Sequence, residues 1–489
     1  MTIEDIKQAS NRESSWRVKL REELSARERG AIPRADMPML PGDYRISCNR
    51  EVNLGLSRAQ ATLEATRCLD CPNPQCVTGC PVGIDIPGFI KNIQRGDTDM
   101  ALAILKQSSP LPAVCGRVCP QERQCESHCI YQKMKKAPVA IGYLERYAAD
   151  NANASDTVNV SHNGIKVAAV GSGPASLAFA GDMAARGFDV TVFEALHEIG
   201  GVLKYGIPEF RLPNSIVDTE IEALKRQGVK MIRDCVIGKT IGVEELIEQG
   251  YAGVFVATGA GLPRFMGIPG ENYVGVMSAN EYLTRINLMG AGRGGDTPVL
   301  KGRRVAVIGG GNTAMDSVRT AMRMGAERAM IVYRRSEAEM PARAEEIEHA
   351  RQEGVEFLTL HNPIEYMADE RGRVKSMKLQ KMKLGEPDES GRQSPVPIDG
   401  ATVDIDVDLV LVSVGVSPNP LIPKVVKDLE ISRRGTIVVN EATMQSSMPA
   451  IYAGGDIVRG GATVILAMGD GKRAAAAMAE AIGQGVSQS

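Results

Sequence analysis

The sequence predicts an α/β chain in which two Rossmann-like parallel-sheet units, one nested in the other, follow an α-helical N-terminal domain. Three observations predict it. Two segments run strand, glycine turn, helix, strand: KVAAVGSGPASLAFAGDMAARGFDVTVFEA (166–195) and RRVAVIGGGNTAMDSVRTAMRMGAERAMIVYRRS (303–336). Each reads as one βαβ unit, which requires a parallel sheet with a right-handed crossover. Eight of the ten cysteines fall between Cys68 and Cys129 among short helical segments, with Cys48 just ahead and Cys235 far downstream. The chain has 489 residues, more than one core accommodates, and roughly three domains are expected.

Residues 1–60 are charged and include the proline-rich IPRADMPMLPG, which reads as a short helix followed by an extended arm. SRAQATLEATRCLDC and IPGFIKNIQRGDTDMALAILKQ are helical stretches of the cysteine region, so 1–150 forms one helical domain. DNANASDTVNVSHNG (150–164) is small and polar and reads as a linker. The first unit occupies 160–300, the second 301–405, and 406–489 returns to the first. The glycine-rich NLMGAGRGGDTPVLKG (287–302) is a candidate inter-domain hinge. With 43% hydrophobic and 24% charged residues the chain is an ordinary globular one. A formal net charge of −2 argues against nucleic acid as a principal partner. No apolar run approaches the ~20 residues that span a bilayer, so no membrane association is expected. The N-terminus carries charges of both signs and no apolar h-region, and the default expectation is cytoplasmic.

The first glycine turn has the context of a dinucleotide site. Gly171 permits a tight turn after VAAV, and Gly173 removes a side chain where a pyrophosphate would approach the helix opened by Pro174 and Ala175. Ser176 stands at the third glycine position. Glu194 ends the next strand, where a carboxylate binds a ribose 2′-hydroxyl, and Gly200 and Gly201 follow. AGVFVATGA (252–260), with Gly259, and LVLVSVGVSP (409–418) are apolar strands ending in small residues. Both are expected to support FAD binding. Near the C-terminus, AIYAGGDIVRGGATVILAMGDGKRAA places Asp456 after Gly455 and ahead of Thr463. By itself Asp456 reads as a helix cap; this segment resembles the two-dinucleotide-domain flavoproteins, and the resemblance implies that Asp456 contacts the flavin.

At the second turn Gly309, Gly310 and Gly311 follow VAVI, and Asn312 and Thr313 open the helix. NAD sites place Asp or Glu at the end of the next strand, where the carboxylate would repel a 2′-phosphate. Here Arg334 and Arg335 stand instead, which favours NADPH over NADH; the alternative is a solvated arginine pair. Disulfide reductases of similar architecture need a redox cysteine pair near the flavin, and Cys235 is the only cysteine after Cys129.

The cysteines form two runs, Cys68-x2-Cys71-x4-Cys76-x3-Cys80-Pro81 and Cys115-x3-Cys119-Pro120-x5-Cys125-x3-Cys129. Closely spaced thiolates followed by proline fit iron–sulfur clusters. Zinc is the competing reading, but it has no redox chemistry to serve a neighbouring flavin.

CLDCPNPQCVTGCPVGIDIPGFI, CGRVCPQERQCESHC, PVAIGYLERYAAD, GGVLKYGIPEFRLP, VIGGGNTAMD, VYRRSEAEMPA and AGGDIVRGGATVILAMGDGKRAA closely resemble the small (β) subunit family of NADPH-dependent glutamate synthase, including its short homotetrameric type. Similar modules occur in the large subunit of NADH-dependent ferredoxin:NADP+ oxidoreductase and in dihydropyrimidine dehydrogenase. The resemblance covers the chain from about residue 45 onward. It implies nested FAD and NADPH domains and two [4Fe-4S] clusters, with electrons passing from NADPH through them to a partner. By position it implies Cys68, Cys71, Cys76 and Cys129 for one cluster. For the other it implies Cys80, Cys119, Cys125 and, as an oxygen ligand, Glu145, whose alternative is a surface helix residue. Cys115 and Cys48 are then small buried apolar residues. The implied partner is a larger glutamate synthase subunit in a hetero-oligomer; a small flavoprotein or ferredoxin would signal the bifurcating oxidoreductase instead.

Overall fold

The computed structural model describes residues 2–153, 161–293, 295–389 and 391–487. Residues 154–160 of the expected linker and Gly294 of the glycine-rich stretch lie outside the described residues.

The N-terminal segment forms two helices, Ile3–Ser10 and Ser15–Glu23, before an extended arm. Five helices of seven or more residues build the cysteine domain, Arg58–Arg67, Ile86–Gln94, Thr98–Lys106, Pro112–Val118 and Ile141–Asn151, with the short helices Gln75–Thr78 and Ile130–Lys133 between them. Their starts are written locally. Ser57 and Gln60 form a capping box, and the Asp85 and Asp97 carboxylates accept from Gly88 N and Met100 N.

A first sheet of five parallel strands runs in the order 451–453, 251–256, 166–170, 189–193, 230–232. A second, also parallel, runs 276–278, 409–412, 304–308, 328–333, 356–359. Strand alternation buries both faces of each. Val167 and Ala169 face one core and Ala168 and Val170 another. Val305 and Val307 face the core of helix Asn312–Arg323, and Ala306 and Ile308 pack against an antiparallel sheet of strands 361–368, 374–387 and 393–406.

Two sequence expectations change here. Strand 409–412 was expected with the returning segment of the first unit and in support of its cofactor; it pairs instead with 276–278 and 304–308 in the second sheet. The second unit therefore begins before residue 301 and ends after 405. The glycine-rich stretch 287–302 then falls inside the second unit rather than between the two. The crossings between units are residues 262–263 and 416–417, which pair antiparallel with one another.

The long last helix, Val464–Ser487, packs on helix Pro174–Ala185, and a single core joins both to the cysteine domain through Phe179, Met468, Cys115 and Cys119. No helix among the described residues is long and apolar enough to cross a membrane.

Candidate functional site

The first glycine turn is compact because it must be. Gly171 has φ +94°, and a Cβ there would stand 2.6 Å from the Ala257 carbonyl oxygen. A Cβ on Gly173, by contrast, would enter open space at the N-terminus of helix Pro174–Ala185, an unfilled cradle of the kind a pyrophosphate needs. Glu194 is buried beneath this turn. Its Oε2 accepts from Ser172 N at 2.9 Å and Ser172 Oγ at 2.5 Å, and its Oε1 from Leu196 N at 2.8 Å. Gly200 N donates to the same Ser172 Oγ at 2.9 Å, so Ser172 ties Gly200 to the acidic end of the strand.

Asp456 follows Gly455 and accepts from Ala462 N at 2.8 Å; burial raises its carboxyl above the usual range. This contact holds the loop ahead of Thr463, whose hydroxyl accepts from Leu466 N in the first turn of the last helix. Tyr205, quoted within GGVLKYG but given no role by the sequence, lies in the field of both carboxylates. Burial, then Asp456 and Glu194, push its hydroxyl up to about 12. Gly259 has open space around it.

At the second turn a Cβ on Gly311 would likewise enter open space at the N-terminus of helix Asn312–Arg323. The two arginines part company. Arg334 is exposed and has no ion-pair partner among the described residues. Arg335 is buried, donating from Nε to the Gln393 carbonyl at 2.8 Å and from Nη2 to Asp388 Oδ2 at 2.5 Å. The expected pair of free guanidinium forks is thus one free fork and one already spent on the hairpin of strands 374–387 and 393–406. The turn also has a clamp that periodicity could not reveal. Arg343 N donates to Asn312 Oδ1 at 2.9 Å, and its guanidinium donates to the Arg117 carbonyl and Gln121 Oε1 of the cysteine domain.

The cysteines gather in two groups. Cys71 is pushed up to about 11 by burial and then by Cys68 and Cys129. Cys76 is raised by burial and the same neighbours together with Cys71. These four share one locale. Cys80, Cys119 and Cys125 share another with Cys115, since Glu145 raises all four. Gly116 makes the second group possible: a Cβ there would stand 2.5 Å from Arg146 N, so only glycine lets helix Pro112–Val118 lie this close to helix Ile141–Asn151.

Glu145 is buried, not a surface helix residue, and its Oε1 has no hydrogen-bond partner. Burial and then Glu220 push its carboxyl up to about 8. An orphaned buried carboxylate facing three thiols fits a fourth ligand. Cys115 is buried with its sulfur 3.5 Å from Met468 Sδ, whereas Cys48, expected to be buried too, is only half-buried with its sulfur 3.7 Å from the Tyr44 carbonyl. No three His, Cys, Asp or Glu side chains among the described residues converge as ligands of a single ion, which needs sulfur at ~2.3 Å from one centre. A four-iron cage spreads its thiolates more widely. His128 is exposed, its Nδ1 2.8 Å from the Gln124 carbonyl. Pro81, after Cys80, reaches the last helix: a Cβ on Gly469 would stand 3.0 Å from the Pro81 carbonyl oxygen.

Residues 45–157 match the family described as dihydropyrimidine dehydrogenase domain II, 4Fe-4S cluster, and residues 165–481 match pyridine nucleotide-disulphide oxidoreductase. The glutamate synthase [NADPH] small chain of Escherichia coli is 36% identical over 455 residues, 91% of this chain and 96% of that one. The chain belongs to the NADPH-dependent glutamate synthase small-subunit family. It is an oxidoreductase that joins a 4Fe-4S domain to a pyridine-nucleotide fold, with FAD, NADPH and iron–sulfur as its cofactors. Relatives of this family are built into other assemblies. The NADP(+)-dependent formate dehydrogenase subunit beta of Moorella thermoacetica is 38% identical over 438 residues, 84% of this chain but 60% of that one. The fold alone is shared with FprA of Mycobacterium tuberculosis, solved in complex with NADPH. The TM-score is 0.56 at 20% identity, over 67% of this chain and 86% of that one.

Proposed function

We propose that this chain is the electron-input subunit of an NADPH-dependent glutamate synthase and acts in the cytoplasm with a larger glutamine-using subunit. One observation carries the reading: the second thiol group, completed by the orphaned Glu145 carboxylate, is built against the last helix of the first nucleotide unit through Pro81, Cys115, Met468 and Gly469. Such a contact suits electrons leaving a flavin for a cluster rather than for a cysteine pair.

The residue roles follow. Gly171, Gly173, Pro174 and Ala175 cradle the FAD pyrophosphate and Glu194 takes its ribose. Gly200, Gly201, Gly259, Gly455, Asp456 and Thr463 line the rest of the flavin. Gly309, Gly311, Asn312 and Thr313 hold NADPH, with Arg334 offered to the 2′-phosphate and Arg335 fixing the hairpin beside it. Cys68, Cys71, Cys76 and Cys129 hold one [4Fe-4S] cluster; Cys80, Cys119, Cys125 and Glu145 hold the second. Residues 1–150 form the cluster domain, and 160–300 with the last segment form the FAD unit. The NADPH unit of 301–405 is enlarged by strands 276–278 and 409–412. Bound, these groups supply hydride acceptance from a nicotinamide and one-electron transfer onward. The protein holds them in register: Arg343 fixes the NADPH turn to the cluster domain, and the shared core excludes water between the second thiol group and the last helix. No acid–base pair is required.

The test is anaerobic isolation from the native host with identification of stoichiometric partners, followed by assay of glutamate formation from glutamine and 2-oxoglutarate with NADPH. A large amidotransferase-type partner and partner-dependent glutamate formation are expected. A small NAD-binding flavoprotein as sole partner would overturn the reading in favour of the bifurcating oxidoreductase.

A further inference from the structure

We infer that Lys91, seconded by Arg29, holds the first thiol site at a higher reduction potential than the second and so makes it the electron store of this chain. The inference rests on the proposed assignment of Cys68, Cys71, Cys76 and Cys129 to one cluster. It goes beyond that assignment by giving the two sites an order.

Lys91 lies in helix Ile86–Gln94 with no exposed surface. Its ammonium donates to the Cys68 carbonyl at 2.6 Å and to Gln94 Oε1 at 2.7 Å, and among the described residues no carboxylate forms an ion pair with it. Arg29 is 2% exposed and donates only to the carbonyls of Leu20, Leu24 and Thr66. The remaining cations nearby are matched or nearly so. Arg17 and Arg21 share Asp70, and Arg67 pairs with Glu64. Lys91 and Arg29 therefore stand beside the first thiol site with carbonyl and amide partners, and Asp70, the one carboxylate whose charge reaches Lys91, is already shared by Arg17 and Arg21, which leaves the cations in excess. An ammonium stripped of water, with only a shared carboxylate in reach, is disfavoured, and negative charge on the site it flanks stabilises it. Cys68 is the sulfur whose charge acts most on Lys91.

The second site has the opposite surroundings. Glu145 Oε1 has no hydrogen-bond partner, and the charged groups acting most strongly on Cys80, Cys119 and Cys125 are Glu145, neighbouring thiols and Glu126, the last of these paired with Arg34. One-electron reduction adds one negative charge to a site. No bond is made or broken and no proton need move; the electron comes from the flavin of the same chain, reduced by the nicotinamide. A cation-flanked site favours that charge and a carboxylate-flanked site opposes it. The second site adjoins the last helix, so the order runs downhill from the flavin side toward the N-terminal helices.

The test is a redox titration of the anaerobically purified holoprotein followed by electron paramagnetic resonance, the first-site signal being the one lost in Cys76→Ala. Lys91→Met is expected to move the first-site midpoint negative by at least about 59 mV, a tenfold loss in the one-electron reduction equilibrium, with the second site unmoved. Lys91→Arg should restore it, and Arg29→Gln should move it in the same direction as Lys91→Met. An unchanged first-site midpoint at wild-type iron content, or equal movement of both sites, overturns the inference. Should Lys91→Met lose iron, Arg29→Gln decides alone, on the same criterion. If Cys76→Ala leaves both signals intact, the ligand assignment has failed, and the order with it.

Discussion

Replacing Arg211 by Met should unlock the joint between the two nucleotide units. Arg211 comes from the first unit, in EFRLP after the flavin-side helix, and its Nη1 lies 2.7 and 2.8 Å from the two carboxylate oxygens of Asp316 in the helix that follows the second glycine turn. It also pairs with Glu346 at 3.0 Å, and all three side chains are about 5% exposed or less. Glu346 keeps a partner in Arg319, but among the described residues Asp316 has no other hydrogen-bonded cation. Stripping one partner from a buried pair costs about 3–5 kcal/mol, which for a cooperative unit of this size lowers Tm by about 10 °C. The pH dependence sharpens the test. Burial, opposed by Arg211, places the Asp316 carboxyl at about 6, above its ordinary 3.8. Its contribution to stability is full below about 3.8 and is lost as pH rises through about 6. Without Arg211 the carboxyl titrates higher still, so the variant's deficit should widen between about pH 6 and 8 and shrink toward about pH 5. Adding Asp316→Asn to Arg211→Met should recover more than half of the loss at pH 8. Differential scanning calorimetry across pH would check it. A melting point within about 2 °C of wild type at pH 8, or no rescue by the second substitution, refutes the reasoning.

Three further outcomes are expected. Arg334→Ser should raise KM for NADPH by about tenfold with little change in Tm, because Arg334 is exposed and unpaired, whereas Arg335→Ser should also lower Tm by releasing Asp388; steady-state kinetics with calorimetry separates them. Gly471→Ala should loosen the last helix, since its Cβ would stand 2.1 Å from the Ala175 carbonyl oxygen, and the variant should lose FAD on gel filtration where wild type retains it. Glu145→Ala should lower bound iron to about half, as four of eight irons leave with one cluster, while Cys115→Ala should keep the full complement; iron analysis of both variants checks the pair.

Much of this was legible because some features are local. The βαβ units announce themselves by a strand pattern, a glycine turn and a helix start, all written within thirty-odd residues, and the cysteine runs do so by spacing. Membership of a sheet is not local. LVLV at 409–412 has the composition of any buried parallel strand, and only its pairing with 304–308 decides which unit owns it. The arginine pair failed for a similar reason. Arg334 and Arg335 are equivalent as letters, and what separates them is Asp388, more than fifty residues away on a hairpin whose packing no periodicity describes. Glu145 was ambiguous in sequence, since a carboxylate in an amphipathic helix is ordinarily solvated; burial beside three thiols is a tertiary fact.

The residues invisible to the sequence share a task, which is to hold the units at fixed mutual distance. Arg343 spans from Asn312 at the nicotinamide turn to Gln121 beside Cys119, and Arg211 spans from the flavin unit to Asp316. Phe210 carries the guanidinium groups of Arg319 and Arg323 at 4.6 and 3.8 Å from its ring, adding a stacked contact at the same junction. Electron transfer between separate centres needs short, constant separations, and the directional hydrogen bonds of these buried pairs suit that task. A loosened joint should therefore lower kcat for electron delivery before it lowers affinity for either nucleotide. In Arg343→Met, which keeps the backbone contact to Asn312 but removes the guanidinium's hold on Arg117 and Gln121 of the cluster domain, stopped-flow measurement should show flavin reduction by NADPH slowed at saturating nucleotide. An unchanged rate of flavin reduction there would mean that the clamp serves stability alone.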